Sequence, residues 1–193
     1  MTENVAFFDF DKTITKKDTL KPLALYISRI KNNPISFYIF LFYCLCFKLR
    51  IIPNRKLKEL FLKLFFDGYS VDRLKDLIFK FEEDFIKMNL NQNIFTEFVN
   101  YVRNGSSVFI VSSNLRIFLE NLTILKDANI IATEVEYNKI NNTYKLRGDI
   151  CSGLEKINRL KQMFGYQIFE KAIFYGDKED EMLLKIFNKS ITV

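Results

Sequence analysis

Three short apolar runs, Val5–Phe10, Ser107–Ser112 and Lys171–Gly176, constrain this chain most, because each ends in a polar cluster. The clusters are Asp9 with Asp11, Ser112–Asn114, and Asp177–Asp180. Near-continuous apolar runs of this length bounded by polar residues read as strands buried on both faces of a parallel sheet. In open α/β sheets ligands sit beyond the carboxyl ends of the strands, so three such ends predict one site assembled from distant sequence. A further strand is expected over Ile130–Glu136, with Thr143–Leu146 as its hairpin partner across Asn141–Asn142.

Helical patterns lie between these runs. Ile94, Phe98, Tyr101 and Val102 share one face of a helix that stops near Asn104–Gly105, and Ile157, Leu160 and Phe164 do the same before Gly165. Alternation of strands and helices predicts an α/β fold, a Rossmann-like parallel sheet covered on both faces. The exception is Thr19 to about Asn89, which carries no strand pattern. Asp18 can cap a helix from Thr19, Pro34 interrupts the pattern, and two stripes follow: Leu57, Leu60, Phe61, Leu64 and Phe65, ended by Asp67–Gly68, then Leu74, Leu77, Ile78, Phe81 and Phe85 behind a Ser70 cap. The expected organisation is therefore a catalytic core of residues 1–17 and 90–193 with an all-helical insert, 18–89, after the first strand. That is too long for a structureless loop.

Composition narrows the chemistry. The 193 residues contain no His, which excludes Ser-His-Asp and Cys-His nucleophile activation and any His-ligated metal. Carboxylates, Lys, Tyr or Cys must do any acid–base work. There are 21 Phe and no Trp, so aromatic packing falls to Phe. The three cysteines have no zinc-finger spacing and fit a reduced, cytoplasmic setting. A formal charge of +6 favours anionic partners without choosing among them, and the scattered basic residues match no nucleic-acid module. No secretory signal is read, because Asn4 leads directly into Val5–Phe8. The aromatic stretch Ile35–Phe47 falls short of the ~20 apolar residues of a membrane span and is followed by Lys48 and Arg50. Its plain reading is the insert's own core; contact with a membrane surface is the other.

The densest chemistry is Phe8-Asp9-Phe10-Asp11-Lys12-Thr13. Two carboxylates one residue apart at the mouth of a buried strand repel unless a cation lies between them, and a hard dication such as Mg²⁺ suits them. A carboxylate can also attack phosphorus and form an acyl-phosphate. The plain alternative is a solvated acidic turn. Ser112, Ser113 and Asn114 offer a hydroxyl and free N–H groups to an anion, or an ordinary helix cap.

Asp9-Phe-Asp11-Lys-Thr13 resembles the first motif, DxDx[TV], of the haloacid dehalogenase superfamily, and its wording resembles the phosphoserine-phosphatase-like branch. The other three motifs follow in order: Ser112 as the second, Lys156 in Cys151-Ser-Gly-Leu-Glu-Lys156 as the third, and Gly176-Asp177 with a further acid as the fourth. The resemblance implies that Asp9 is the nucleophile and Asp11 the general acid/base. It also implies that Ser112, Ser113, Asn114 and Lys156 hold the phosphoryl group, and that Mg²⁺ is bound by Asp9, Asp11 (through its carbonyl), Asp177 and Asp180. The fourth motif departs from the family pattern. Its turn is shortened, Lys178 stands where a small residue is usual, and Glu181 competes with Asp180 as second acid.

The activity implied is phosphomonoester hydrolysis through an aspartyl-phosphate, with the insert as a substrate-choosing cap. A phosphorylated small molecule or lipid is the expected partner, with peripheral membrane contact through the apolar cap segment. Phosphotransfer on the same fold and an impaired phosphate-binding protein are the alternatives.

Overall fold

The structure, a computed structural model, describes residues 5–193, so the first four residues of the expected core segment lie outside it. In chain order its strands are β1 (Val5–Phe8), β2 (Ser107–Leu115), β3 (Asn129–Thr133), β4 (Val135–Asn138), β5 (Thr143–Leu146), β6 (Ile173–Gly176) and β7 (Lys189–Thr192). Five of them form one parallel sheet in the order β3-β2-β1-β6-β7, with Phe7 of β1 opposite Phe109 on one side and Phe174 on the other. The chain builds outward from β1 first in one direction and later in the other. The topological switch point therefore falls beside the end of β1, where a ligand crevice opens in such sheets.

Alternation along β1 separates two cores. Phe7 points to the layer of Val111, Ile157, Leu160, Phe174, Leu183 and Phe187. Ala6 and Phe8 point to the opposite layer, which holds Ile110, Phe98 and the apolar faces of the insert. That second cluster runs without a break from the sheet to Ile27, Phe40, Phe61, Phe65, Ile78 and Phe81, so the insert shares a core with the sheet.

The helices are α1 (Leu20–Ile30), α2 (Pro34–Lys48), α3 (Asn54–Phe61), α4 (Val71–Phe81), α5 (Gln92–Arg103), α6 (Arg116–Leu119), α7 (Leu154–Phe164), α8 (Ile168–Lys171) and α9 (Glu181–Ile186). The first four make up the insert. Pro34 is the first residue of α2, where its missing N–H costs nothing, and the Asn33 side chain accepts from Ser36 N at 3.3 Å. Ser70 caps α4 by accepting from Arg73 N at 3.3 Å. The insert leaves and returns through one antiparallel bridge, Thr15 with Leu90, flanked by Lys16 N to Asn89 O and Asn91 N to Ile14 O, both 2.8 Å. This clamp fixes the exit of the insert close to the end of β1.

Two details differ from the sequence reading. The single strand expected over Ile130–Glu136 is two: β3 joins the parallel sheet, and β4 leaves it to pair with β5, Tyr137 opposite Tyr144. The break falls at Glu134, whose carboxylate accepts from Arg116 Nη1 at 2.9 Å, while the Thr133 hydroxyl ties the end of β3 to Ser113 O at 2.7 Å. The edge strand β7 carries no apolar alternation and is exposed throughout, so nothing in its sequence announces it. It exists because β6 offers an open edge for pairing.

Candidate active site

β1 ends at Phe8, and Asp9 is held just past it by its N–H donating to Tyr175 O at 2.8 Å. The loop then turns through Lys12 at φ 60, and Thr15 N closes it onto Phe10 O at 3.0 Å. This path sends the two carboxylates of the motif in different directions. Asp9 faces the ends of β2 and β6, while Asp11 faces the start of α1.

Asp9, Asp11, Ser112, Ser113, Lys156, Asp177 and Asp180 line one small cavity of about 110 Å³. Two glycines shape its walls. Gly153, at φ 53 and ψ −123, takes a conformation open to glycine and begins α7, which carries Lys156. Gly176 lets the chain pass the Phe174 ring, which an added Cβ would meet at 2.5 Å.

At the centre, Lys156 Nζ donates to Asp9 Oδ1 at 2.9 Å and to both oxygens of Asp180 at 2.8 Å. All three side chains are buried. Burial works against the Lys156 ammonium, but the Asp9 and Asp180 carboxylates outweigh it and hold the proton more tightly than in an ordinary lysine. Burial pushes Asp9 up to about 7 against the pull of Lys156, with Asp180 and Asp11 adding repulsion. Asp180 is raised for the same first reason. Glu181 lies apart on the exposed side of α9 and pairs with Lys185. Of the two candidate acids, the fold brings Asp180 to the cavity.

Asp11 is held by three donors. Thr19 gives its N–H at 2.8 Å and its hydroxyl at 2.7 Å to Oδ1, and Asn114 Nδ2 reaches Oδ2 at 3.0 Å. Burial raises Asp11 to about 6, with Asp18 adding to the rise and the Thr19 hydrogen bonds opposing it. Asn114 thus acts on Asp11; it does not line the cavity. Its remaining amide atoms are spoken for by Thr19 Oγ1 and Leu115 N. Ser112 Oγ accepts from Asn114 N at 3.2 Å, which orients the second-motif hydroxyl.

Two residues of the site were not legible beforehand. Thr19 reads as an ordinary helix start, and nothing in sequence links it to Asp11. Lys58 on α3 is one of many lysines, yet it is 4% exposed, and no described residue pairs with it. Burial lowers it to about 8 against the attraction of Asp11 and Asp18. It does not line the catalytic cavity. At the rim Lys12 pairs with Glu179 and stands 3.9 Å from Asp177.

The donor set fits a hard divalent cation. Asp9, Asp177 and Asp180 each offer a carboxylate oxygen, and these lie within 4.8 Å of one another in buried positions. Lys156 and, from the rim, Lys12 offset part of the charge of the three carboxylates, and a dication would balance the rest. The Asp11 carboxylate stands outside this group of three.

The sequence profile of the haloacid dehalogenase-like hydrolases matches residues 6–180. No curated protein matches the chain. Among solved structures, a protein with unknown function from Bordetella pertussis Tohama I is similar at 17% identity and a TM-score of 0.83, over 100% of this chain and 90% of that one. A phosphoserine phosphohydrolase-like protein from Francisella tularensis subsp. tularensis SCHU S4 shares 20% identity and a TM-score of 0.63, over 94% and 82% of the two chains. A phospho-aspartyl intermediate analogue of phosphoserine phosphatase is similar at 12% identity and a TM-score of 0.65, over 100% and 87%. With the profile spanning nearly the whole chain and this fold shared with phosphoserine-phosphatase-like proteins, the chain belongs to the haloacid dehalogenase-like hydrolases.

Proposed function

We propose that this protein is a Mg²⁺-dependent phosphomonoesterase in which Asp9 is the nucleophile and Asp11 the proton donor and acceptor. The observation that carries the reading is the pairing of Asp9 Oδ1 with Lys156 Nζ at 2.9 Å in a cavity of phosphoryl size, with Asp11 fixed separately on the same loop. The similarity to a phospho-aspartyl analogue of phosphoserine phosphatase supports it.

Asp9, Asp177 and Asp180 would hold the cation, which when bound neutralises phosphoryl charge and keeps Asp9 ionised. Lys156 and the Ser112 hydroxyl face the phosphoryl oxygens, and the Lys156 charge grows in value as they gather negative charge in the transition state. Asp9 forms a bond to phosphorus as the bond to the leaving alcohol oxygen breaks. Asp11, entering protonated, gives that oxygen its proton. Asp11 then takes a proton from a water whose oxygen attacks phosphorus, the bond to Asp9 breaks, and phosphate leaves. A carboxyl raised to about 6 suits a group that must be acid in one step and base in the next.

Lys58 supports a narrower reading of the substrate. Lys58 is 4% exposed, has no ion-pair partner among the described residues and is drawn toward Asp11, the proposed acid for the leaving alcohol, so a second anionic group on that alcohol would satisfy it. Phosphate release from p-nitrophenyl phosphate, with and without Mg²⁺, tests the whole proposal. Metal-dependent turnover in the wild type and none in a folded Asp9→Asn variant is expected; retained turnover in the variant would sink it.

A further inference from the structure

Helix α2 buries one stripe only. Ser36, Phe40 and Cys44 face inward, and Phe40 packs against Phe61 and Phe65 with ring centroids 5.6 and 5.5 Å away. Ile35, Tyr38, Ile39, Phe42, Leu45 and Leu49 recur at helical spacing on the other side and face water, Tyr38 at 68% and Phe42 at 63% exposure. Phe37 and Tyr43 also pack partly against the core, which leaves Tyr38, Phe42 and Phe47 of the aromatic run exposed. A contiguous apolar stripe of this kind marks an interaction surface.

Along the sequence, the charge around the stripe has one sign. No Asp or Glu stands between Asp18 and Glu59, whereas Lys21, Arg29, Lys48 and Arg50 are all exposed. None of these four is ion-paired among the described residues.

The catalytic cavity, at about 110 Å³, holds a phosphoryl group and little more. The body of the substrate has to leave over its rim. Lys12, Asp18 and Glu179 form part of that rim and also begin a second, larger groove of about 560 Å³. This groove runs along Leu41, Cys44, Leu45, Phe47 and Leu57, with Lys21 and Lys48 beside it. It is thus a path, charged at the cavity end and apolar along α2, from the catalytic cavity to the water-facing stripe.

We infer that α2 docks the protein onto an anionic lipid bilayer and that the groove carries the hydrocarbon of a lipid-borne phosphomonoester whose phosphate reaches Asp9. The inference rests on the phosphomonoesterase reading for its second half. An apolar face bordered by unpaired Lys and Arg is the chemistry of a helix lying in the interface of an anionic membrane. The 15 residues of α2 extend about 22 Å, short of the roughly 30 Å hydrocarbon thickness, and no helix among the described residues is long and apolar enough to cross a membrane.

Co-sedimentation with vesicles tests the docking without using turnover. Vesicles of equal parts phosphatidylglycerol and phosphatidylcholine are expected to carry down the wild type, and pure phosphatidylcholine far less. A Tyr38→Ser/Phe42→Ser double variant, altered only at water-facing positions, is expected to bind the anionic vesicles about tenfold or more weakly. Arg29→Glu/Arg50→Glu is expected to abolish the preference for anionic lipid. Both variants keep wild-type turnover of p-nitrophenyl phosphate, so a wild type that binds vesicles but hydrolyses nothing sinks the phosphatase reading and leaves the docking standing. No binding of the wild type to anionic vesicles overturns the inference. So does a concentration-dependent dimer that Tyr38→Ser/Phe42→Ser dissociates while vesicle binding is unchanged, which would assign the stripe to a second copy of the chain.

Discussion

Thr19 gives both its backbone N–H and its hydroxyl to one oxygen of Asp11, at 2.8 and 2.7 Å. The residue just before the insert's leading helix thus holds the carboxyl proposed to shuttle the proton, and it favours the charged form of that carboxyl against burial. Removing the hydroxyl in Thr19→Val should raise the Asp11 pKa further above its ordinary value. The step that needs Asp11 as an acid then extends to higher pH, so the alkaline limb of kcat for a poor leaving group should move upward. Water attack, which needs Asp11 as a base, should slow near neutrality. A pH–rate profile unchanged in position would show that Thr19 only supports the helix.

The pKa shifts also fix how pH and metal act on stability. Asp9 and Asp11 are raised from 3.8 to about 7 and about 6, so without metal the folded state holds their protons more tightly than the unfolded chain does. Their contribution is present at low pH, falls as pH rises through this window and levels off above about 7. Mg²⁺ binds the ionised carboxylates, so its addition should raise Tm more above the Asp9 value of about 7 than well below it. Thermal melts at two pH values with and without Mg²⁺ check this; an equal gain at both would contradict the three-carboxylate site.

Asp180 and Glu181 separate cleanly by place. Asp180→Asn takes one carboxylate from the cation and one partner from Lys156, and turnover should fall by about a hundredfold or more with weaker Mg²⁺ dependence. Glu181→Gln, on the exposed face of α9, should leave both unchanged. Mg²⁺ titration of phosphate release measures the two side by side.

Lys58→Met keeps the length of the side chain, removes a buried charge and should not harm folding. Turnover of p-nitrophenyl phosphate should stay close to wild type. With a substrate whose leaving alcohol carries a second anion, kcat/KM should drop about 10- to 100-fold, the worth of one charged hydrogen bond. Equal effects on both substrates would place Lys58 in a structural role.

The core of the fold was readable because β1, β2 and β6 are buried strands whose polar ends announce themselves, and the helices of the insert carry clear apolar stripes and caps. The break at Glu134 was not readable, since Thr133 and Val135 both suit a strand and only tertiary bonds to Ser113 and Arg116 part β3 from β4. The edge strand β7 was missed because its pairing comes from β6, not from its own pattern. Motif order singled out Asp9, Lys156 and Asp177, and the fold brings the three to one cavity. Asn114 was assigned to phosphate, whereas its amide is turned to Asp11, and Lys58 had no sequence signal because its burial arises from the packing of α3. The solvent-facing half of α2 was equally hidden. An almost wholly apolar helix carries no polar face to show which side is out.

The central claim is that phosphorus becomes bonded to Asp9. Acid-quenching the enzyme during turnover, reducing with borohydride and sequencing the N-terminal peptide by mass spectrometry reads that bond directly, because an acyl-phosphate is reduced at its carbonyl. The account predicts homoserine in place of Asp9, dependent on substrate and Mg²⁺ and absent from Asp9→Asn. Steady phosphate release with Asp9 unmodified, or reduction at another carboxylate, would contradict it.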